Sequence, residues 1–155
     1  MKYFRVPADK DKRLNMSRQP DPQQAAVKIL HLEDSHLDAE IVGYYLNNGG
    51  LSCKITVVGD MLAFQKALTD EMFDLILCDQ NVPGWPGASP AQIARTLQPA
   101  IPLIVLSGNL DNFENSSAKP DDLPTRVLKS ELASLVPAVR QTLETARAAK
   151  NQAAA

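Results

Sequence analysis

The sequence predicts an α/β fold with a single parallel sheet, and three observations lead to this prediction. Short apolar segments typical of strands alternate with segments of helical periodicity along most of the chain. The run over 75–78 is continuously apolar, as expected for a strand covered on both faces of a parallel sheet. Acidic, hydroxyl or ammonium side chains directly follow several of the apolar segments, which is where ligands gather in such sheets.

The length of 155 residues, of which 45% are hydrophobic, fits one domain with tails. We expect an N-terminal extension over 1–26, because most of this part is charged and proline-containing and has no sustained apolar period. The domain is then predicted over 27–148, and an alanine-rich C-terminal tail over 149–155.

The first strand and the first helix are predicted from the segment that begins at Val27. Apolar residues dominate up to position 32, and the acidic pair Glu33 and Asp34 follows. Ser35 can cap the next helix, and Asn47-Asn48-Gly49-Gly50 supplies its end. Five apolar residues recur along this helix at helical spacing: Leu37, Ile41, Tyr44, Tyr45 and Leu46.

The same alternation predicts the remaining elements. Further strands are expected over 53–58, 73–78, 101–106 and 126–128. One helix is expected through Leu62 and Leu68, and another over 90–97 after a loop rich in proline and glycine. The last helix carries an apolar face made of Leu132, Leu135, Val136, Val139 and Leu143.

Composition excludes several classes of function. The chain has 16 basic and 18 acidic residues and no long basic run, so we expect no nucleic-acid contact. Cys53 and Cys78 have neither metal-ligand nor CxxC spacing, which favours reduced thiols and a cytoplasmic location. The apolar runs are too short for a membrane span.

Five side chains are predicted to converge at the carboxyl ends of the strands: Glu33, Asp34, Asp79, Ser107 and Lys129. Clustered carboxylates repel one another unless a hard divalent cation neutralises them, and Mg²⁺ suits oxygen ligands. A carboxylate beside Mg²⁺ can attack phosphorus, while an ammonium and a hydroxyl contact the phosphoryl oxygens. Each residue alone also fits an ordinary structural role as a strand terminus, turn or surface residue. Only the placement of all five at one edge of the sheet favours a functional site.

These residues lie in four motifs, and together the motifs resemble the response-regulator receiver domain over about 27–147. The motifs are Lys28-Ile-Leu-His-Leu-Glu33-Asp34-Ser, Asp79-Gln-Asn-Val-Pro-Gly-Trp-Pro-Gly87, Leu106-Ser-Gly108 and Leu128-Lys129. The resemblance implies a flavodoxin-like, doubly wound five-stranded parallel sheet of strand order 2-1-3-4-5. It implies Mg²⁺ held by Glu33, Asp34, Asp79 and the main-chain carbonyl of Asn81, with Asp79 as phosphoacceptor and Ser107 and Lys129 as phosphoryl contacts. Asn81 and Asn109 would line the route of the hydrolytic water.

The chain departs from the receiver pattern in two places. Arg126 stands three residues before the lysine, where receivers usually carry an aromatic residue. The segment over 111–122 is rich in residues that prefer turns, so the usual fourth helix is expected to be missing or disordered. A face of the sheet left uncovered there would favour a homodimer or a contact with the N-terminal extension.

The resemblance implies a single-domain response regulator that is phosphorylated on Asp79 by a sensor histidine kinase or a histidine phosphotransfer protein. Output would run through a downstream protein partner, and the only catalysis would be self-phosphorylation and dephosphorylation. The alternative is a pseudo-receiver that signals without phosphorylation. An aspartyl phosphatase is disfavoured because Asn81 replaces its usual second aspartate, and a flavin carrier because no phosphate-cradling loop follows the first strand. For Trp85 a loop anchor is favoured over a kinase contact, and for His31 and His36 a structural role is favoured over a chemical one.

Overall fold

The computed structural model describes residues 25–82, 87–108 and 125–153. Strands and helices alternate along these residues, and Ser35, Asp60 and Ser89 cap the first three helices through their side chains. The elements are β1 (Val27–Leu32), α1 (His36–Asn48), β2 (Cys53–Val58), α2 (Met61–Asp70), β3 (Leu75–Asp79), α3 (Pro90–Leu97), β4 (Leu103–Ser107), β5 (Thr125–Leu128) and α4 (Leu135–Ala153), with a 3-10 helix (Lys129–Ser134) before α4.

The five strands form one parallel sheet in the order β2-β1-β3-β4-β5, which confirms the predicted fold class and strand order. Leu32 of β1 pairs with Cys78 of β3, and Asp79 of β3 pairs with Leu106 of β4. This register places the residues that follow β1 beside the end of β3. The acidic pair and Asp79 therefore meet at one edge of the sheet.

Two buried clusters cover the two faces of the sheet. On one face α1 and α4 pack on alternate strand residues such as Ile29, Leu77 and Leu106. On the other face α2 and α3 pack on the intervening residues, such as Leu30 and Ile76. Since successive residues of a strand point to opposite faces, all five residues of β3 are buried. This burial is the reason for the continuous apolar run in its sequence.

The first helix ends where the sequence predicts, but its buried face differs from the predicted apolar set. Gly49 caps α1, and a side chain at this position would collide with Val136 of α4. The helix packs against the core through Ala39, Val42 and Leu46. The other four predicted members are exposed to between 38% and 65%: Leu37, Ile41, Tyr44 and Tyr45. Val42 and Leu46 lie in the cluster that contains α4, so the docking of α4 selects this narrower face.

At the C-terminal end, the five residues predicted to form one apolar face are all buried. The first of them, Leu132, belongs to the 3-10 helix rather than to α4. Helix α4 continues to Ala153, past the boundary predicted at 148. We expected the usual receiver helix between β4 and β5 to be missing or disordered, and the sheet face left uncovered there to favour a homodimer. Both expectations concern residues 109–124, which lie outside the described residues.

Candidate functional site

The candidate site lies at the carboxyl edge of the sheet and collects residues from four strand ends. Glu33 follows β1, Asp79 ends β3, Ser107 ends β4 and Lys129 follows β5. Three of these side chains are almost fully buried, namely those of Glu33, Asp79 and Ser107. Polar residues are buried this deeply mainly when they have partners, so their contacts define the site.

The ammonium of Lys129 holds the acidic residues together. Its Nζ lies 2.8 Å from Asp79 Oδ2 and 3.1 Å from Glu33 Oε2. It also lies 2.8 Å from Oδ2 of Asp38, in the first turn of α1. Burial lowers the pKa of Lys129, but these three carboxylates outweigh burial and raise it above its ordinary value. Lys129 is therefore a permanent positive charge in this site.

Both oxygens of Asp79 accept hydrogen bonds that fix the carboxylate. Oδ2 accepts from Lys129, and Oδ1 accepts from the backbone amide of Asn81 at 2.9 Å. Burial alone would raise the pKa of Asp79, but the bonds from the Asn81 amide and Lys129 outweigh it and lower this pKa. Asp79 is thus an ionised and oriented carboxylate near neutral pH.

Glu33, Asp34 and Asp79 fit a divalent cation. Each offers a carboxylate oxygen, and these oxygens lie within 4.8 Å of one another. Burial, together with the nearby Asp79, raises the pKa of Glu33 to about 7, so its protonated and ionised forms coexist near neutrality, and a bound cation would favour the ionised form. A set of hard oxygen ligands with one solvent-exposed member, Asp34, suits Mg²⁺, which keeps several of its waters.

The structure brings four predicted residues together and gives the fifth a different partner. Glu33, Asp34, Asp79 and Lys129 form the acidic cluster. The Ser107 hydroxyl instead donates to Oε1 of Gln80. For Asn81 the structure shows an amide contact with Asp79, and the use of its carbonyl as a metal ligand stays a prediction. Asn109 and Trp85 lie outside the described residues.

Sequence reasoning missed two residues, Asp38 and Gln80. Asp38 is the fourth residue after Asp34, and an acidic residue in the first turn of a helix that starts at this edge was a usable signal for it. Gln80 follows the predicted acceptor directly, but nothing in its residue type distinguishes it from an ordinary loop residue.

Within the described residues, the two histidines and the Cys78 thiol make no direct contact with the site carboxylates of Glu33, Asp34 and Asp79. His31 is fully buried in β1, and within the described residues neither ring nitrogen has a hydrogen-bond partner. Burial lowers the pKa of His31 to about 4 and raises that of the Cys78 thiol to about 12. His36 is exposed and lies 3.5 Å from Glu40. All three groups are therefore neutral or peripheral to the site.

Solved structures with the same strand arrangement identify the fold. The signal receiver domain of an HD domain-containing protein from Pseudomonas fluorescens Pf-5 superimposes with a TM-score of 0.67, at 17% identity, over 80% of this chain and 99% of that chain. The chain has the response-regulator receiver fold. A response regulator receiver protein from Sinorhizobium medicae is 24% identical, with a TM-score of 0.64 over 78% of this chain and 97% of that chain.

A third receiver, from a sensor histidine kinase of Pseudomonas aeruginosa, was solved with a magnesium ion coordinated in its active-site cleft. It has a TM-score of 0.62 and 20% identity over 77% of this chain and 99% of that chain. The resemblance of the sequence to receiver domains is thus confirmed at the level of fold. Among the described helices of this chain, none combines the length and apolar composition that crossing a bilayer requires.

Curated relatives of this chain are much longer proteins. Transcription factor SKN7 of Saccharomyces cerevisiae is 30% identical over 84 residues, which are 54% of this chain and 13% of that protein. The protein of the same name from Chaetomium thermophilum is 27% identical over 145 residues, covering 84% of this chain and 18% of that protein. The match thus spans less than a fifth of either relative, and no protein-family profile matches the chain.

Proposed function

We propose that this receiver accepts a phosphoryl group on Asp79 from a histidine kinase or a histidine phosphotransfer protein and signals through protein contact. The observation that carries the proposal is the bridge that Lys129 makes between Asp79 and Glu33. It pairs an oriented carboxylate nucleophile with a fixed cation at one sheet edge, and this is the arrangement that phosphoryl transfer needs.

The chemistry follows from the contacts of Asp79. One carboxylate oxygen attacks the phosphorus of a phosphohistidine, a P–O bond forms, the P–N bond breaks, and the leaving imidazole takes up a proton. Lys129, already 2.8 Å from Oδ2, pairs with the negative charge of the incoming group. Glu33, Asp34 and Asp79 would hold Mg²⁺, with the Asn81 carbonyl as a further ligand, and the ion would supply positive charge to the phosphoryl oxygens.

The exposed apolar residues of α1 support a protein as the phosphoryl donor. Leu37, Ile41 and Tyr44 lie on one side of the helix at positions i, i+4 and i+7. Leu37 precedes Asp38, which contacts Lys129, so the stripe begins at the rim of the acidic site. An amphipathic helix of a partner could pack on this stripe while its histidine reaches Asp79.

This interpretation is tested by comparing two donors. The variant Tyr44→Glu is expected to slow transfer from a phosphorylated histidine protein and to leave labelling by acetyl phosphate unchanged. Leu62→Glu is the matched control, because Leu62 is 71% exposed and belongs to α2, which packs on the opposite face of the sheet from α1. Equal slowing by both variants would contradict docking on α1.

The acceptor itself is tested by incubation with Mg²⁺ and acetyl phosphate, followed by mass spectrometry of the intact protein. We expect a base-labile gain of one phosphoryl group that is lost in Asp79→Asn and retained in the control Asp70→Asn, an exposed residue at the end of α2. No gain in the wild type would favour a phosphorylation-independent receiver. Retention of the gain in Asp79→Asn would show that another residue is the acceptor.

Catalysis is proposed to be limited to phosphorylation and dephosphorylation of Asp79 itself. Asn81 has no group that exchanges a proton in the usual pH range, so an aspartyl phosphatase is not favoured. Free thiols at Cys53 and Cys78 support a reducing compartment such as the cytoplasm. The curated relatives are named as transcription factors, so regulation of transcription is one output that the phosphorylated receiver could control through a partner.

A further inference from the structure

The hydroxyl of Ser107 and the side chain of Gln80 form a contact that the proposed chemistry does not use. Ser107 is the last residue of β4, and Gln80 is the residue after the acceptor Asp79. The Ser107 Oγ donates to Gln80 Oε1. The strand ends hold both residues in place, since the Gln80 amide donates to the Leu106 carbonyl at 2.9 Å.

A serine hydroxyl has one proton and can donate it to one acceptor at a time. When Ser107 donates to Gln80, the same proton is not available to a phosphoryl oxygen on Asp79. Ser107 is only 1% exposed, so a hydrogen bond lost there is not readily replaced by one to bulk water. Gln80 therefore stabilises the arrangement of Ser107 that exists without a phosphoryl group.

We propose that Gln80 is a positioning residue that competes with the phosphoryl group for the Ser107 proton, an inference that rests on the proposed function. In the unphosphorylated receiver Gln80 accepts this hydrogen bond and holds the hydroxyl on its own side. Phosphorylation of Asp79 supplies a charged acceptor, which is stronger than a neutral amide oxygen. The hydroxyl then leaves Gln80, and the strength of the Gln80 contact sets how readily the phosphorylated arrangement forms.

The expected change in affinity follows from the free energy that one hydrogen bond contributes. Its net contribution corresponds to roughly a 2- to 10-fold change in an equilibrium constant. Gln80→Met keeps the length of the side chain and removes the acceptor, so only the unphosphorylated arrangement loses a contact. We expect this variant to bind a phosphoryl analogue more tightly by roughly 2- to 10-fold.

The experiment measures the affinity for beryllium fluoride, an analogue of the aspartyl phosphoryl group, in the presence of Mg²⁺, by titration of backbone amide resonances. Wild type, Gln80→Met, Ser107→Ala and the double variant form a thermodynamic cycle. Gln141→Met serves as the matched control, because Gln141 is an exposed residue of α4. Gln80→Ala provides a second removal of the acceptor should the methionine variant pack poorly.

The proposal predicts tighter binding in Gln80→Met, no change in Gln141→Met, and no effect of Gln80→Met once Ser107 is alanine. Weaker binding in Gln80→Met would show that Gln80 supports the phosphorylated arrangement and would overturn the proposal. The same gain with and without the Ser107 hydroxyl would also overturn it, because the effect would not run through that proton. Failure of the wild type to bind the analogue or to be labelled on Asp79 would instead contradict the proposed function.

Discussion

The buried histidine of β1 predicts a measurable loss of stability in mild acid. His31 is fully buried, and within the described residues its ring nitrogens have no hydrogen-bond partner. Burial, assisted by the positive charge of Lys129, lowers its pKa from 6.5 to about 4. As the pH falls below 6.5, His31 binds a proton in the unfolded chain, whereas in the folded chain it does not bind one until about pH 4. The folded state therefore loses stability across this window.

The magnitude follows from the linkage between proton binding and folding. One unit of pKa difference is worth about 1.4 kcal/mol, so the His31 contribution at about pH 4.5 amounts to a loss of about 2–3 kcal/mol relative to about pH 7.5. We expect His31→Leu to remove this loss. The free energy of unfolding of the variant, relative to that of wild type, should then rise by about 2–3 kcal/mol as the pH falls from about 7.5 to about 4.5.

The assay is urea unfolding at both pH values in buffer containing EDTA, followed by circular dichroism. Carboxylates such as Glu33 titrate in wild type and variant alike, so the difference between the two proteins isolates His31. His36→Leu is the control, because it removes a histidine whose side chain is 94% exposed rather than buried. If the free energies of unfolding of wild type and His31→Leu differ by the same amount at both pH values, the reasoning is refuted.

Three further predictions concern packing, capping and reactivity. Leu135→Ala removes a fully buried side chain from the cluster under α4 and should lower the free energy of unfolding in urea by about 2–5 kcal/mol. Leu62→Ala, at a position that is 71% exposed, should change it little. Equal losses in the two variants would contradict the assignment of the core. Asp60→Ala removes the 2.8 Å cap on the Ala63 amide at the start of α2 and should cost about 1 kcal/mol, while Asp60→Asn should retain most of that stability. Burial raises the pKa of Cys78 to about 12, so its thiol should react with a disulfide reagent at about pH 8 only after unfolding, and fast reaction in the native protein would show that β3 is accessible.

Much of this fold could be predicted because the relevant signals are local. The spacing of apolar residues predicts each strand to within a few residues, and α3 coincides with its predicted range at Pro90–Leu97. The parallel arrangement follows from the alternation of strands and helices. Once the strands are parallel, residues that follow their carboxyl ends must share one edge, so Glu33, Asp79 and Lys129 could be assigned to one site before any contact was known.

Contacts between residues far apart in the chain were decided by the tertiary structure alone. Lys129 and Glu33 are separated by 96 positions, and nothing local to either reveals that the ammonium also pairs with Asp38. Apolar periodicity likewise could not tell which side of α1 is buried, because that helix is apolar on both sides and the packing of α4 makes the choice. The partner of Ser107 is a matter of side-chain geometry at adjacent strand ends. Sequence periodicity therefore predicts where side chains gather, whereas packing and competition for protons and charges decide which of them interact.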